Sequence, residues 1–115
     1  MMNQTVLVGR IVQDPKITEL EDGKKVCNVT VAIPRSYKNE NGEYDTDFVK
    51  CTMWSGVAEN TSEYCKQGDL IGIKGRIQTR VIEKDNSKQT IQEVIAEKVT
   101  FLAKSKEKTD DEIEI

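Results

Sequence analysis

The sequence predicts an all-β domain with one helix: a five-stranded OB-fold Greek-key barrel in which the helix lies between the third and fourth strands. Three observations predict it. Runs rich in β-branched residues alternate apolar and polar side chains with the two-residue period of a strand. Only Val57 to Gln67 carries apolar residues at helical spacing. The resulting order, strand, strand, strand, helix, strand, strand, is the order of that small barrel.

The first strand is Thr5 to Val12, a β-branched run closed by Asp14-Pro15, with Gly9 inside it as a bulge or a sharp bend. Glu21-Asp22-Gly23 is a turn. In the second strand, Val26 to Ile33, Cys27, Val29, Val31 and Ile33 share one side, and Pro34 ends it because proline cannot donate to the ladder. Arg35 to Thr46 is a polar hairpin arm with Asn41-Gly42 at its tip. The third strand is Asp47 to Trp54. The helix follows, with Val57, Thr61, Tyr64 and Cys65 facing inward and Gly68 as its stop. Leu70 to Ile82 is the fourth strand, Glu83 to Lys88 a second polar hairpin tip, and Gln89 to Leu102 the last strand, with Val99 and Phe101 returning to the core. Residues 1–104 form the domain, and residues 105–115, poor in apolar side chains, a short acidic tail expected to be disordered.

At 115 residues the chain holds one domain. It has no apolar run near the length of a membrane span and no charged-then-apolar leader, which makes the expected location cytoplasmic. Cys27, Cys51 and Cys65 are odd in number and lack a C-x-x-C pair, so they read as small buried residues rather than disulfide or zinc ligands. Histidine is absent, which removes the commonest general base, the commonest metal ligand and every Ser-His or Cys-His nucleophile. Neither an enzyme nor a cofactor is expected. The formal charge is −3, but residues from Ser105 onward carry two lysines and five carboxylates. Residues 1–104 keep 15 of the 17 basic and 15 of the 20 acidic side chains, so the body is neutral and the placement of its cations decides what it attracts.

That placement is uneven. On the third strand Val49, Cys51 and Met53 take one face, a small apolar surface fit for a core, while Phe48, Lys50, Thr52 and Trp54 take the other. Two rings with an ammonium between them make a poor core and a good platform for nucleobases joined by phosphates. Tyr37, between Arg35 and Lys38 in the arm, repeats the pairing of ring and cation, and Lys74, Arg76 and Arg80 line one side of the fourth strand. The rival reading is a barrel that docks on proteins or binds sugars, in keeping with an acidic chain of 5% aromatic content. The cation row weighs against it, since a docking sheet more often shows apolar patches there.

The chain resembles the bacterial single-stranded DNA-binding proteins over residues 3–102. The resemblance is carried by Val6-Leu7-Val8-Gly9-Arg10 leading to Asp14-Pro15, by Asp47-Phe48-Val49-Lys50, by Ala58-Glu59-Asn60, by Lys66-Gln67-Gly68 and by Gly75-Arg76-Ile77-Gln78-Thr79-Arg80. It implies sequence-independent binding and protection of single-stranded DNA in replication, recombination and repair by a nucleoid-associated homotetramer. It also implies stacking on Tyr37, Phe48 and Trp54, and phosphate neutralisation by Arg10, Arg35, Lys38, Lys50, Lys74, Arg76 and Arg80. A fourth stacking position of the family falls on Ile82, which has no π face.

The family's acidic tip, commonly ending in Pro-Phe after a long linker, docks on replication and repair proteins. This chain has a very short link and ends Asp110-Asp111-Glu112-Ile113-Glu114-Ile115. Three readings of that end stand side by side: a variant docking tip, an anion that competes with DNA for the basic face, and an inert solubilising end.

Overall fold

The computed structural model describes residues 1–105 and contains six strands and one helix. They are β1 (Thr5–Ile11), β2 (Ile17–Glu19), β3 (Lys25–Lys38), β4 (Tyr44–Trp54), α1 (Ser55–Tyr64), β5 (Leu70–Lys84) and β6 (Ser87–Ala103). The sheet runs β1-β5-β6-β4-β3-β2, and pairing of β1 with β3 closes it into a barrel. Every pairing is antiparallel except that of β4 with β6. With the three-residue β2 set apart as an addition to β3, five strands make the barrel and α1 follows the third of them, as the sequence predicts. The last residues, 106–115, hold most of the acidic tail and lie outside the described part.

The alternation of each strand fills the barrel. Ile11, Val29, Val31, Cys51, Met53, Ile71 and Ile73 point inward and are buried, and Ala58 and Thr61 of α1 plug the adjoining end. Cys27, Cys51 and Cys65 are buried free thiols. Burial pushes the thiol of Cys51 up from 9.0 to about 11, because a thiolate there would be stripped of water.

Several boundaries differ from the sequence reading, each for a local reason. Pro34 does not end β3, which continues to Lys38 with Pro34 opposite Thr46 and an irregular register between Pro34 and Lys38. On its other side β3 pairs with β1 only as far as Ala32, so at Pro34 it is an edge that needs no N–H. Gly9 lies in unbroken register with β5 rather than at a bulge. Its missing Cβ instead admits the Ala32 carbonyl, which would lie 2.7 Å from it. The helix stops at Tyr64, with Cys65 already extended, and Gly68 (φ +89°) belongs to the following turn, where Asp69 caps Lys66. Tyr64 is exposed rather than inward-facing, and so is Phe101, which sits at the rim of a groove between α1 and β6.

Two hairpins project from the barrel. Asn39 ties the tip of the first, its side-chain oxygen accepting the backbone N–H of Asn41 and Glu43. The second turns through Asp85 and Asn86, both at positive φ, as a two-residue hairpin requires. Beyond Gly75 the β5 alternation therefore leaves the core, and Ile77 and Val81 are exposed.

Candidate nucleic-acid interface

β4 alternates as its sequence demands, sending Val49, Cys51 and Met53 inward and Phe48, Lys50, Thr52 and Trp54 outward. Phe48 is 65% exposed and Trp54 39%, about 20 Å apart along the strand at 3.4 Å per residue. Their cross-strand neighbours on β3 are Ala32 opposite Phe48, Thr30 opposite Lys50, Asn28 opposite Thr52 and Val26 opposite Trp54. Small neighbours beside Phe48 and Lys50 leave the ring and the ammonium uncovered.

Two adjoining grooves open on this face. One, of about 370 Å³, is lined by Phe48, Lys50, Ile77 and Gln92 among others. The second, of about 550 Å³, runs past Asn28, Thr30, Lys50, Thr52, Arg80 and Ile91. Lys50, Gln92 and Glu93 border both. A flat ring at one end and cations along the floor can hold a base and the phosphates on either side of it.

The structure thus gathers Phe48, Lys50 and Arg80 at the grooves, while the other predicted residues, Trp54 among them, line neither groove. Tyr37, 63% exposed, stands on the first arm. There Arg35 makes a bidentate pair with Asp47, Nη2 to Oδ1 being 2.9 Å and Nε to Oδ2 3.1 Å. Those bonds hold the Asp47 carboxyl below the usual carboxylate range and raise the guanidinium above its ordinary value. The Lys38 ammonium lies 5.8 Å from the ring centre of Tyr44, an exposed aromatic that the sequence reading passed over. Arg76 pairs with Glu97 at 3.1 Å. Lys74 is exposed between Val6 of β1 and Lys98 of β6 and lines neither groove. Ile82 is half-buried on the second arm, opposite Gln89, and lines neither groove. Arg10 is turned to the fold itself, its Nη1 donating to the Gly68 carbonyl at 3.0 Å.

The pairs of Arg35 and Arg76 are exposed and screened by solvent, so an incoming phosphate can replace their carboxylates at small cost. Among the described residues Lys50 and Lys74 have no ion-pair partner.

Thr52 departs from expectation. It points outward yet is buried, because its hydroxyl donates to Glu93 Oε2 at 2.9 Å and lies 3.1 Å from Asn28 Oδ1. Glu93 and Gln92 are floor residues that the sequence reading did not single out. The signal they left was Glu93 itself, a charge flanked at two-residue spacing by Ile91 and Ile95. No three His, Cys, Asp or Glu side chains gather as a metal site among the described residues.

A closed five-stranded barrel with rings and cations on one outward face and two hairpin arms beside it belongs to the oligonucleotide-binding class of OB-folds. Comparison with known proteins narrows that class. The single-strand binding protein family matches residues 2–102, and the chain belongs to that family. It is 44% identical over 113 residues to single-stranded DNA-binding protein B of Bacillus subtilis (strain 168), covering 96% of this chain and 100% of that protein. Single-stranded DNA-binding protein 1 of Clostridium acetobutylicum is 41% identical over 108 residues, 92% of this chain and 98% of that protein. The single-stranded DNA-binding protein of Halalkalibacterium halodurans is 42% identical over 103 residues, and there the chain spans only 61% of the relative's length.

Proposed function

We propose that this chain binds single-stranded DNA without regard to sequence and shields it during replication, recombination and repair. The observation that carries the reading is the outward face of β4, where Phe48 and Trp54 stand on either side of Lys50 and the two grooves open beside Phe48 and Lys50. Tyr37, Phe48 and Trp54 stack bases, each of which offers a π surface whatever its identity. Lys50, Lys74, Arg76, Arg80 and the arm cations Arg35 and Lys38 neutralise phosphates. Arg10 acts from behind, holding the turn at Gly68. Ile82 supplies apolar contact without stacking, so each subunit gives up one ring and the third barrel strand, β4, carries a larger share of the binding. The role is non-catalytic.

The binding unit is the barrel of residues 1–104, assembled as a homotetramer in the cytoplasm and associated with the nucleoid. Support for assembly comes from β1, whose Thr5–Val8 segment pairs with β5 on one side only, beside the exposed side chains of Val6 and Val8. No described helix is long and apolar enough to cross a membrane. The tail carboxylates Asp110, Asp111 and Glu112, with Ile113 and Ile115, dock other replication proteins, compete with DNA for the cations, or serve only as a solubilising end. Deleting residues 105–115 separates the three: rising affinity at low salt means competition, an altered pull-down of replication proteins alone means docking, and no change in either means a solubilising end.

Titration of Trp54 fluorescence with oligo-dT, oligo-U and a duplex of equal length tests the function. Quenching by oligo-dT at concentrations where the duplex is inert supports it. Equal or stronger binding to duplex overturns it.

A further inference from the structure

One carboxylate does not fit a surface built to meet phosphates. The Glu93 side chain is only 14% exposed and borders both grooves, whereas the carboxylates of the other arginine pairs are about half exposed and border neither. Both of its oxygens are used. Oε1 accepts the Nε–H of Arg80 at 2.7 Å, and Oε2 accepts the hydroxyl of the buried Thr52 at 2.9 Å. With Asn28 next to Thr52, the contacts form one polar chain, Asn28, Thr52, Glu93, Arg80, crossing β3, β4, β6 and β5 beneath the platform.

The way Glu93 holds Arg80 matters. The bond is to Nε, and among the described residues neither terminal nitrogen of Arg80 has a partner. Those two Nη groups make the fork that grips phosphate oxygens in a bidentate manner. A free arginine side chain would have to surrender its rotamer freedom when a phosphate arrives. Held at Nε by a nearly covered acceptor, Arg80 has lost that freedom beforehand.

We propose that Glu93 is a positioning residue for phosphate binding: it anchors Arg80 through Nε so that the two terminal nitrogens face the DNA backbone, while Thr52 and Asn28 hold Glu93 in place. The inference rests on the single-stranded DNA reading above and extends it to a group of the wrong charge for direct contact.

The sign of one substitution separates this role from its rival. If Glu93 were only an anion near the DNA, its removal would relieve repulsion and tighten binding. As a positioning residue its removal frees Arg80 and weakens binding, because charge-assisted hydrogen bonds outweigh a screened surface repulsion. E93A is expected to bind oligo-dT about five- to tenfold more weakly, close to R80A, and the double variant no more weakly than either, since they act through one contact. E93Q keeps an oxygen for Arg80 Nε and turns its amide toward the Thr52 oxygen, so it retains the geometry without the charge and binds about two- to threefold more tightly. Thermal unfolding of each variant before titration confirms that folded protein is compared, and E93M, of similar volume but with no oxygen for Arg80 Nε, is expected to show the same loss should E93A fold poorly.

Tighter binding by E93A, additive losses in the double variant, an R80A without effect, or an E93Q as weak as R80A would each overturn the proposal. A wild-type chain that leaves oligo-dT unbound would instead overturn the single-stranded DNA reading beneath it. The two failures are therefore told apart in the same titration.

Discussion

Replacing Phe48 by alanine separates base stacking from fold stability better than any other change on this face. A fully covered aromatic side chain buries roughly 150–250 Å². Phe48 is 65% exposed, so only about 70 Å² is at stake, an upper limit near 1.8 kcal/mol at 25 cal/mol per Å². Trp54, at 39% exposure, covers about 150 Å² and up to ~3.8 kcal/mol, so its loss would mix weaker binding with a weaker fold. Phe48→Ala should keep the barrel folded, its thermal transition lowered by no more than about 10 °C, while removing one base stack. A stack is worth about 1–3 kcal/mol, which is roughly a 5- to 140-fold loss of affinity per subunit. The assay is quenching of Trp54 by oligo-dT, since that reporter stays in place in the variant. A Phe48→Ala chain that is folded and binds with unchanged affinity would refute the stacking argument at this residue, whatever Trp54 does.

The remaining predictions concern charge, packing and pH. Lys50→Ala should lower affinity and make the slope of log affinity against log salt shallower by about 0.7, the value for one phosphate on a single strand; an unchanged slope would remove Lys50 from the phosphate contacts. Gly75→Ala should destabilise strongly, by about 3 kcal/mol or more in urea, because its Cβ would meet the Ile95 carbonyl oxygen of the paired strand. Gly72→Ala, whose Cβ would meet Leu102 Cδ1 at 3.6 Å and the Leu7 carbonyl oxygen at 3.9 Å, both ordinary contacts, should stay within about 1 kcal/mol, and equal effects at the two glycines would contradict the packing. Folding raises the Cys51 thiol from 9.0 to about 11, so its contribution to stability is complete below the ordinary thiol range and is lost as pH rises through 11. Urea midpoints should therefore fall across that window, less steeply in Cys51→Ala; identical slopes would show that the thiol does not titrate with unfolding.

The sequence made much of this surface legible because strand alternation is a local property. Phe48, Lys50 and Trp54 alternate with Cys51 and Met53 on one continuous strand, and nothing distant is needed to place them on opposite faces. Features set by pairing were not legible. Thr52 shares the outward face but is buried, because the parallel pairing of β4 with β6 brings Glu93 across it, and a contact 41 residues away leaves no trace in periodicity. Pro34 obeys its usual rule only where both sides of a strand are paired, and β3 is an edge at that point. Ile77 and Val81 continue the inward phase of β5 but lie beyond Gly75, where the hairpin has left the barrel and the same phase points to solvent. The helix ended early for a related reason: Cys65 takes up an extended backbone so that the turn at Gly68 can return the chain to β1, with the Gly68 N–H bonded to the Ile11 carbonyl. Arg10, a cation by sequence, spends its charge on that same turn.

The central claim is that single-stranded DNA lies across the outward face of β4 and the grooves beside it. Backbone amide shifts measured on the full chain during addition of oligo-dT test it most directly. The account predicts the largest shifts at Phe48, Lys50, Trp54, Arg80, Gln92 and Glu93, smaller ones along the first arm at Tyr37, and little change in α1. Shifts concentrated in the groove between α1 and β6, around Tyr64 and Phe101, with β4 silent, would contradict it.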